Sequence, residues 1–143
     1  MTPTELKQFV DTHRWAIEST ATSDGKPQAA VIGIAMSEQL EIVFDTLSTS
    51  RKAMNLRANP RMALVIGGWH DDDPRTLQIE GDVDFPEGDE LKRLAEVYYA
   101  VFPDGPSRLD WPELVYVRLR PRWARFSDYV AQPPVIEEFD VPG

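Results

Sequence analysis

The sequence has no cysteine, which excludes disulfides, thiolate metal sites and a cysteine nucleophile. It has two histidines, His13 and His70, and neither lies in a nucleophile motif, so a Ser–His–Asp arrangement finds no support. No apolar run approaches the roughly 18 residues of a membrane span. The opening Met1-Thr2-Pro3-Thr4-Glu5 lacks the basic and apolar regions of a signal peptide. A soluble, cytoplasmic protein is expected. One further absence is local. The chain is acidic, with 24 Asp+Glu against 15 Lys+Arg and a net charge of -9. Yet from Thr46 to His70 it contains no acid, where roughly four would fall at the average density. The same window carries Arg51, Lys52, Arg57 and Arg61. A cationic spot on an anionic protein suits a small anionic ligand. Nucleic acid would want a broad basic face, which the rest of this chain does not offer.

The local pattern sharpens that reading. Leu40 to Thr46 reads as a strand, rich in β-branched and aromatic residues. Ser48, Thr49 and Ser50 are helix N-cap types. The run RKAMNLRAN then reads as a short helix, closed by Asn59-Pro60. Two cationic side chains and several hydroxyls therefore sit where a helix begins, beside unpaired N–H groups and the positive end of its dipole. That combination can hold a phosphate. An exposed amphipathic helix with solvated Arg and Lys fits the same residues.

The remaining chain reads as one domain over 1–143. A capped helix occupies the first 13 residues, with Thr2, Pro3 and Glu5 as its start signals. Trp15 to Thr22 is a strand, with Trp15 expected in the core. A turn at residues 23–27 leads into a second strand, Gln28 to Met36. That strand is almost wholly apolar and is expected to be covered on both faces, with Gly33 marking a bulge or a close approach. Arg61 to Gly67 and Thr76 to Asp84 are further strands, the latter with a bulge at Gly81. Asp89 to Phe102 is an amphipathic helix whose stripe holds Leu91, Leu94, Tyr98, Val101 and Phe102. Leu114 to Leu119 is a sixth strand, kinked at Arg120-Pro121-Arg122 and continued or followed by Trp123 to Tyr129. The proline-rich, acidic tail over 130–143 is expected to lie loose or to drape over a partner. The fold class is mainly β (α+β): a six- to seven-stranded antiparallel barrel or strongly curved sheet, with helices at its ends and side. Closure is the usual answer to exposed edges.

Other candidates carry less. His70-Asp71-Asp72-Asp73 reads as a solvated acidic loop, not a metal site, because consecutive loop residues do not converge on one ion. Glu41, Asp45, Glu80 and Asp82 are dispersed and form no acid–base pair. Tyr98 and Tyr99 read as helix packing, and Trp111 as a cover over the barrel mouth. No residue stands out as a general acid or base.

The order Phe44, Thr46, Ser50-Arg51-Lys52-Ala53 and Asn59-Pro60-Arg61, set between apolar strands, resembles the split-barrel flavin-binding proteins related to pyridoxamine 5'-phosphate oxidase. The likeness runs from about Trp15 to Tyr129. It implies FMN bound at the interface of a homodimer, and an oxidoreductase in which the flavin does the redox chemistry. Arg51 and Lys52, with Ser50, would hold the phosphate. Val31, Ile32, Gly33 and Ile34 would run beside the isoalloxazine through backbone groups. Phe44 and Thr46 would lie near the ring or ribityl chain. Trp69, Thr76 and Gln78 would reach the second subunit's flavin, and Trp123 with Phe126 corresponds to a C-terminal aromatic contact. The chain departs from the oxidase pattern at Ala29-Ala30, where an Arg is usual, and at its ending. Those departures put pyridoxamine phosphate oxidation in doubt. A flavin carrier or stress-related sensor without turnover, and an F420- or haem-binding barrel, stand as alternatives.

Overall fold

The computed structural model describes residues 1–142; Gly143, the last residue of the expected tail, lies outside the described residues. Helix α1, Pro3–His13, starts on a reciprocal cap. The Glu5 N–H donates to the Thr2 hydroxyl (3.1 Å), and the Thr2 N–H donates to the Glu5 carboxylate (2.7 Å). Its Leu6, Phe9 and Val10 enter the core. Strands β1 (Trp15–Ala21), β2 (Pro27–Gly33), β3 (Ala35–Met36) and β4 (Ile42–Leu47) follow. Then come α2 (Arg51–Ala58), β5 (Arg61–Gly67), β6 (Thr76–Asp84) and α3 (Gly88–Val101). A short 3-10 turn (Gly105–Arg108), β7 (Leu114–Asp128) and β8 (Val135–Asp140) complete the chain.

Every pairing is antiparallel, in the order β2-β1-β5-β6-β7-β4-β3, with β8 added to β7. The two ends of that path are one stretch of chain. The second strand of the sequence breaks at Ile34, whose N–H donates to the Arg14 carbonyl (2.9 Å). Residues before the break pair with β1 and residues after it pair with β4. The sheet is thus rolled around a core that includes Ile34, Ile42, Phe44, Leu64, Ile66, Leu77, Ile79 and Leu119, all essentially inaccessible.

Several expectations need correction. The second strand is not covered on both faces: Val31, on the outer face of β2, is 68% exposed among the described residues. Trp15 is 43% exposed and is not a core residue. Strand β1 turns Ala16, Glu18 and Thr20 inward and Trp15 and Ile17 outward, the reverse of what hydrophobicity alone implies. The sixth and seventh strands are one, β7, which passes Arg120-Pro121-Arg122 through a bulge. There Glu80 faces Trp123 and Gly81 faces Pro121, so Arg122 is the extra residue. A Cβ at Gly81 would come within 2.1 Å of the Arg120 carbonyl oxygen, so only glycine fits.

The tail is not loose either. Strand β4 pairs with residues 114–119 of β7 and leaves that edge open at residues 123–128. Strand β8 fills the opening, with Glu138 paired to Arg125 and Val141 buried beyond it.

One end of the barrel is held by charge. Arg118, 5% exposed, donates to Glu41 (3.0 Å), Asp84 (2.7 and 2.8 Å) and Glu90 (3.1 Å). Arg93 makes a fork to both Glu41 oxygens (2.9 Å each), and the Ser37 hydroxyl donates to Glu41 as well (2.9 Å). Four separated segments meet there.

Candidate functional site

The site is built where β4 hands over to α2. Ser50 is the N-cap residue, and its hydroxyl accepts from the Ala53 N–H (3.2 Å). The Thr46 and Ser50 hydroxyls lie 3.1 Å apart, which fixes the turn between strand and helix. Arg57 is tied back to the Ser48 carbonyl (3.1 Å) and lies over the Phe85 ring. By contrast, Arg51 and Lys52 have no carboxylate within 4.0 Å among the described residues. The helix therefore opens on one exposed and one half-buried cation without partners.

Lys52 lines a cavity of about 310 Å³ whose other wall is Val31, Ile32 and Gly33. Trp15, Asp45, Tyr98, Phe102, Asp104 and Arg108 complete it. The fold thus brings together Val31–Gly33 and Lys52 around one cavity. The backbone of Gly33 does approach closely, but what it approaches is a side chain: a Cβ there would fall 2.6 Å from the Phe102 ring. Phe44, Ile32 and Ile34 are core side chains, so any contact they make with a ligand runs through the main chain.

The cavity also contains Asp45, read from the sequence as dispersed, Tyr98, read as helix packing, and Arg108, which the sequence reading did not single out. Asp45 accepts from Arg108 Nε (2.8 Å) and from the Tyr98 hydroxyl (3.2 Å). Burial, and then the Asp45 charge, hold the Tyr98 phenol well above its usual range. Arg108 comes from the proline-rich loop, 63 residues from Asp45, and no local spacing signals that meeting.

Trp69, Thr76, Gln78 and Trp123 do not line this cavity. Trp69 is exposed in the loop after Gly67 and Gly68, both at φ +85. Gln78 and Trp123 point outward from β6 and β7, opposite Val65 and Glu80 respectively. They share the outer sheet face with Trp15, Ile17, Val31 and Val65. Ile17 is paired with both Val31 and Val65, so the apolar part is continuous across three strands. A contiguous patch of that kind differs from the singly scattered apolar residues of an ordinary protein surface.

Behind α2 lies a buried acid. Glu18 is fully inaccessible, and one of its oxygens accepts from Gln28 Nε2 (2.8 Å). The other has no partner among the described residues. Burial pushes the carboxyl up, while the Gln28 hydrogen bond and the nearby Lys52 ammonium pull it back. The alternation of β1 could have exposed this residue, since Glu18 shares a face with Ala16. The apolar Trp15 and Ile17 drew attention to the other side.

The two histidines are placed apart. His13 Nδ1 lies 2.8 Å from the Phe9 carbonyl and Nε2 lies 3.6 Å from Asp73. Asp73, expected to be solvated, accepts a two-pronged contact from Arg75 that holds it well below the usual carboxylate range. Among the described residues no group of three His, Asp or Glu could hold a metal ion, and no helix is long and apolar enough to cross a membrane.

Residues 2–128 match the family model described as pyridoxamine 5'-phosphate oxidase. A curated relative described as pyridoxine/pyridoxamine 5'-phosphate oxidase, from Bordetella avium (strain 197N), is 31% identical over 125 residues. The match covers 81% of this chain and 57% of the relative, so the chain spans little more than half of that protein's length. Among solved structures, a conserved hypothetical protein from Mycobacterium tuberculosis superposes with a TM-score of 0.76 at 26% identity, covering 100% of this chain and 93% of its own. A haem-binding protein from Mycobacterium smegmatis superposes with a TM-score of 0.82 at 16% identity, covering 98% of this chain and 58% of its own. That last likeness is one of fold.

Proposed function

The chain belongs to the pyridoxamine 5'-phosphate oxidase family, and from that premise we propose that it is an FMN-binding flavoprotein that acts as an oxidoreductase in the cytoplasm. The observation that carries this reading is the unpartnered pair Arg51 and Lys52 at the capped start of α2, beside a cavity walled by Val31–Gly33. The residues fit the cofactor's polar end. A guanidinium offers two parallel donors to phosphate oxygens, an ammonium adds a point charge, and the first N–H groups of α2 complete the cradle. Lys52 would reach the phosphate from the cavity side and Arg51 from the solvent side. The main chain of Val31 to Ile34 and of Phe44 to Thr46 would border the rest of the nucleotide.

The cavity of about 310 Å³ is at the small end for enclosing a drug-sized ligand. One chain therefore supplies half a site. The continuous apolar face around Trp15, Ile17, Val31 and Val65 is the surface on which a second copy would close it. In that homodimer Trp69, Thr76, Gln78 and Trp123 would approach the partner's flavin. When bound, FMN supplies hydride and single-electron chemistry. This chain's part is to bind and orient it and to keep water from the covered face. The substrate is a small-molecule donor or acceptor. Ala29-Ala30 does not favour pyridoxamine phosphate.

The test is an absorption spectrum of the purified protein before and after FMN addition and desalting. Flavin bands that persist, and that are lost in a folded Arg51→Ala/Lys52→Ala variant, are expected. Unchanged flavin retention in that variant refutes the phosphate assignment. Steady FMN-dependent consumption of a reduced nicotinamide distinguishes an enzyme from a carrier or sensor. Haem is a second reading, favoured by the cavity of about 400 Å³ that His13 lines with Phe9, Arg75 and Phe126. A Soret band in place of flavin bands would select it. F420 uptake in equilibrium dialysis, with FMN refused, would select the deazaflavin.

A further inference from the structure

Glu18 is the only buried side chain among the described residues that leaves a polar atom without a hydrogen-bond partner. Its surroundings are fully committed elsewhere. Gln28 donates to Glu18 Oε1, and the Gln28 amide oxygen accepts from the Thr20 hydroxyl (2.7 Å). The Thr20 oxygen in turn accepts from Asn55 Nδ2 (3.0 Å). That chain runs from β2 through β1 to α2 and ends without supplying Oε2. Across β2, Glu18 faces Ala30, and across β5 it faces Leu64. From α2 come Asn55 and, one turn earlier, Lys52. Lys52 is the charged group on α2 whose field reaches Glu18 and favours its ionised form, without a direct contact. The same ammonium lines the cavity in front of the helix.

We propose that Glu18 is a positioning residue for Lys52, and that it takes up a proton from solvent when a phosphate monoester binds at the start of α2. The proposal rests on the reading that Arg51 and Lys52 hold such a phosphate. Its logic is a competition for one cation. A buried carboxylate survives in its charged form only with a compensating charge or a full set of donors, and Glu18 has one donor. With the site open, Lys52 supplies that charge through space and not as a salt bridge, since no carboxylate lies within 4.0 Å of it. A phosphate brings up to two negative charges to the same ammonium and draws it forward. Glu18 then has neither counter-charge nor water, and protonation is the least costly outcome. One proton enters for each phosphate bound, no bond is broken, and binding tightens as the pH falls. Riboflavin, which lacks the phosphate, would bind without this uptake.

Calorimetric titration of the full-length protein with FMN, at one pH in two buffers of different ionisation enthalpy, reads proton uptake directly. The phosphate's own ionisation is common to all variants, so the difference between wild type and Glu18→Gln reports Glu18. The expected result is a difference of between half a proton and one proton, with a flatter pH dependence of FMN affinity in the variant. Equal uptake in the two proteins overturns the proposal. Should Glu18→Gln not fold, or should FMN not bind at all, carbon-13 NMR titration of the Glu18 carboxyl decides without flavin. Refusal of FMN would sink the flavin reading by itself. The Glu18 pKa is expected to rise on adding inorganic phosphate, and to rise in Lys52→Met without it. A pKa that neither change moves ends the proposal.

Discussion

Glu18 and Glu41 are both glutamates in the wall of the same barrel, 0% and 7% exposed, yet their surroundings are opposite. Glu41 accepts from two arginines and a serine, which outweigh burial and hold its carboxyl down at about 2. Glu18 accepts from one amide and is pushed up by burial. The first is a satisfied charge that ties β4, α3 and β7 together. The second is an unsatisfied one, placed behind the helix that opens on two free cations. Buried charge is retained at the first end as a staple. At the second it is tolerated at a cost, which points to a role in ligand binding.

The most forceful way to break the contrast is Arg118→Met, which removes the donor shared by Glu41, Asp84 and Glu90. A loss of about 3–5 kcal/mol in urea unfolding at neutral pH is expected, as for a buried pair deprived of one member. A loss below about 1 kcal/mol would show that Arg118 is not the staple. A second test sets the two acids against each other through pH. The folded pKa of Glu41 is depressed, so its contribution is present above the ordinary value of 4.5 and is lost as pH falls toward about 2. A decline on the order of 2 kcal/mol across that window is expected, and Glu41→Gln should lack most of it. The folded pKa of Glu18 is raised, so its contribution is present in acid and lost as pH rises. The smallest effect follows from that sign. Glu18→Gln should gain roughly 1 kcal/mol more over wild type at pH 8 than at pH 5. Equal gains at the two pH values would place no ionisable burden on Glu18.

Much of this molecule was legible in its sequence. The capped first helix, the strands, the amphipathic third helix and the antiparallel barrel all follow from local spacing and turn residues. The acid-free window found the start of α2 because charge depletion over 25 residues stands out against an acidic chain. What stayed hidden depends on partners distant in sequence. The face of β1 was misread because its outward side carries Trp15 and Ile17, apolar residues that hydrophobicity alone assigns to a core. Strand β8 was missed because its Val-Ile-Glu-Glu-Phe-Asp run has no neighbour until β7 leaves an open edge. The Arg118 cluster and the Asp45–Arg108 pair join residues 28 to 77 positions apart, and no short-range pattern encodes them.

The long strand β7 has a consequence for how the protein is made. Strands β4, β6 and β8 all depend on it for pairing, and it lies in the last third of the chain. On the ribosome, the first 84 residues can assemble the β2-β1-β5-β6 sheet and the short β3-β4 pair, while the edge of β4 that meets β7 waits bare. That wait lasts seconds at ordinary elongation rates of about 5–20 residues per second. Synthesis therefore passes through an interval in which Ile42-Val43-Phe44 carries one open, aggregation-prone edge. A chain truncated before Leu114 would be left in that state permanently, a substrate for chaperones.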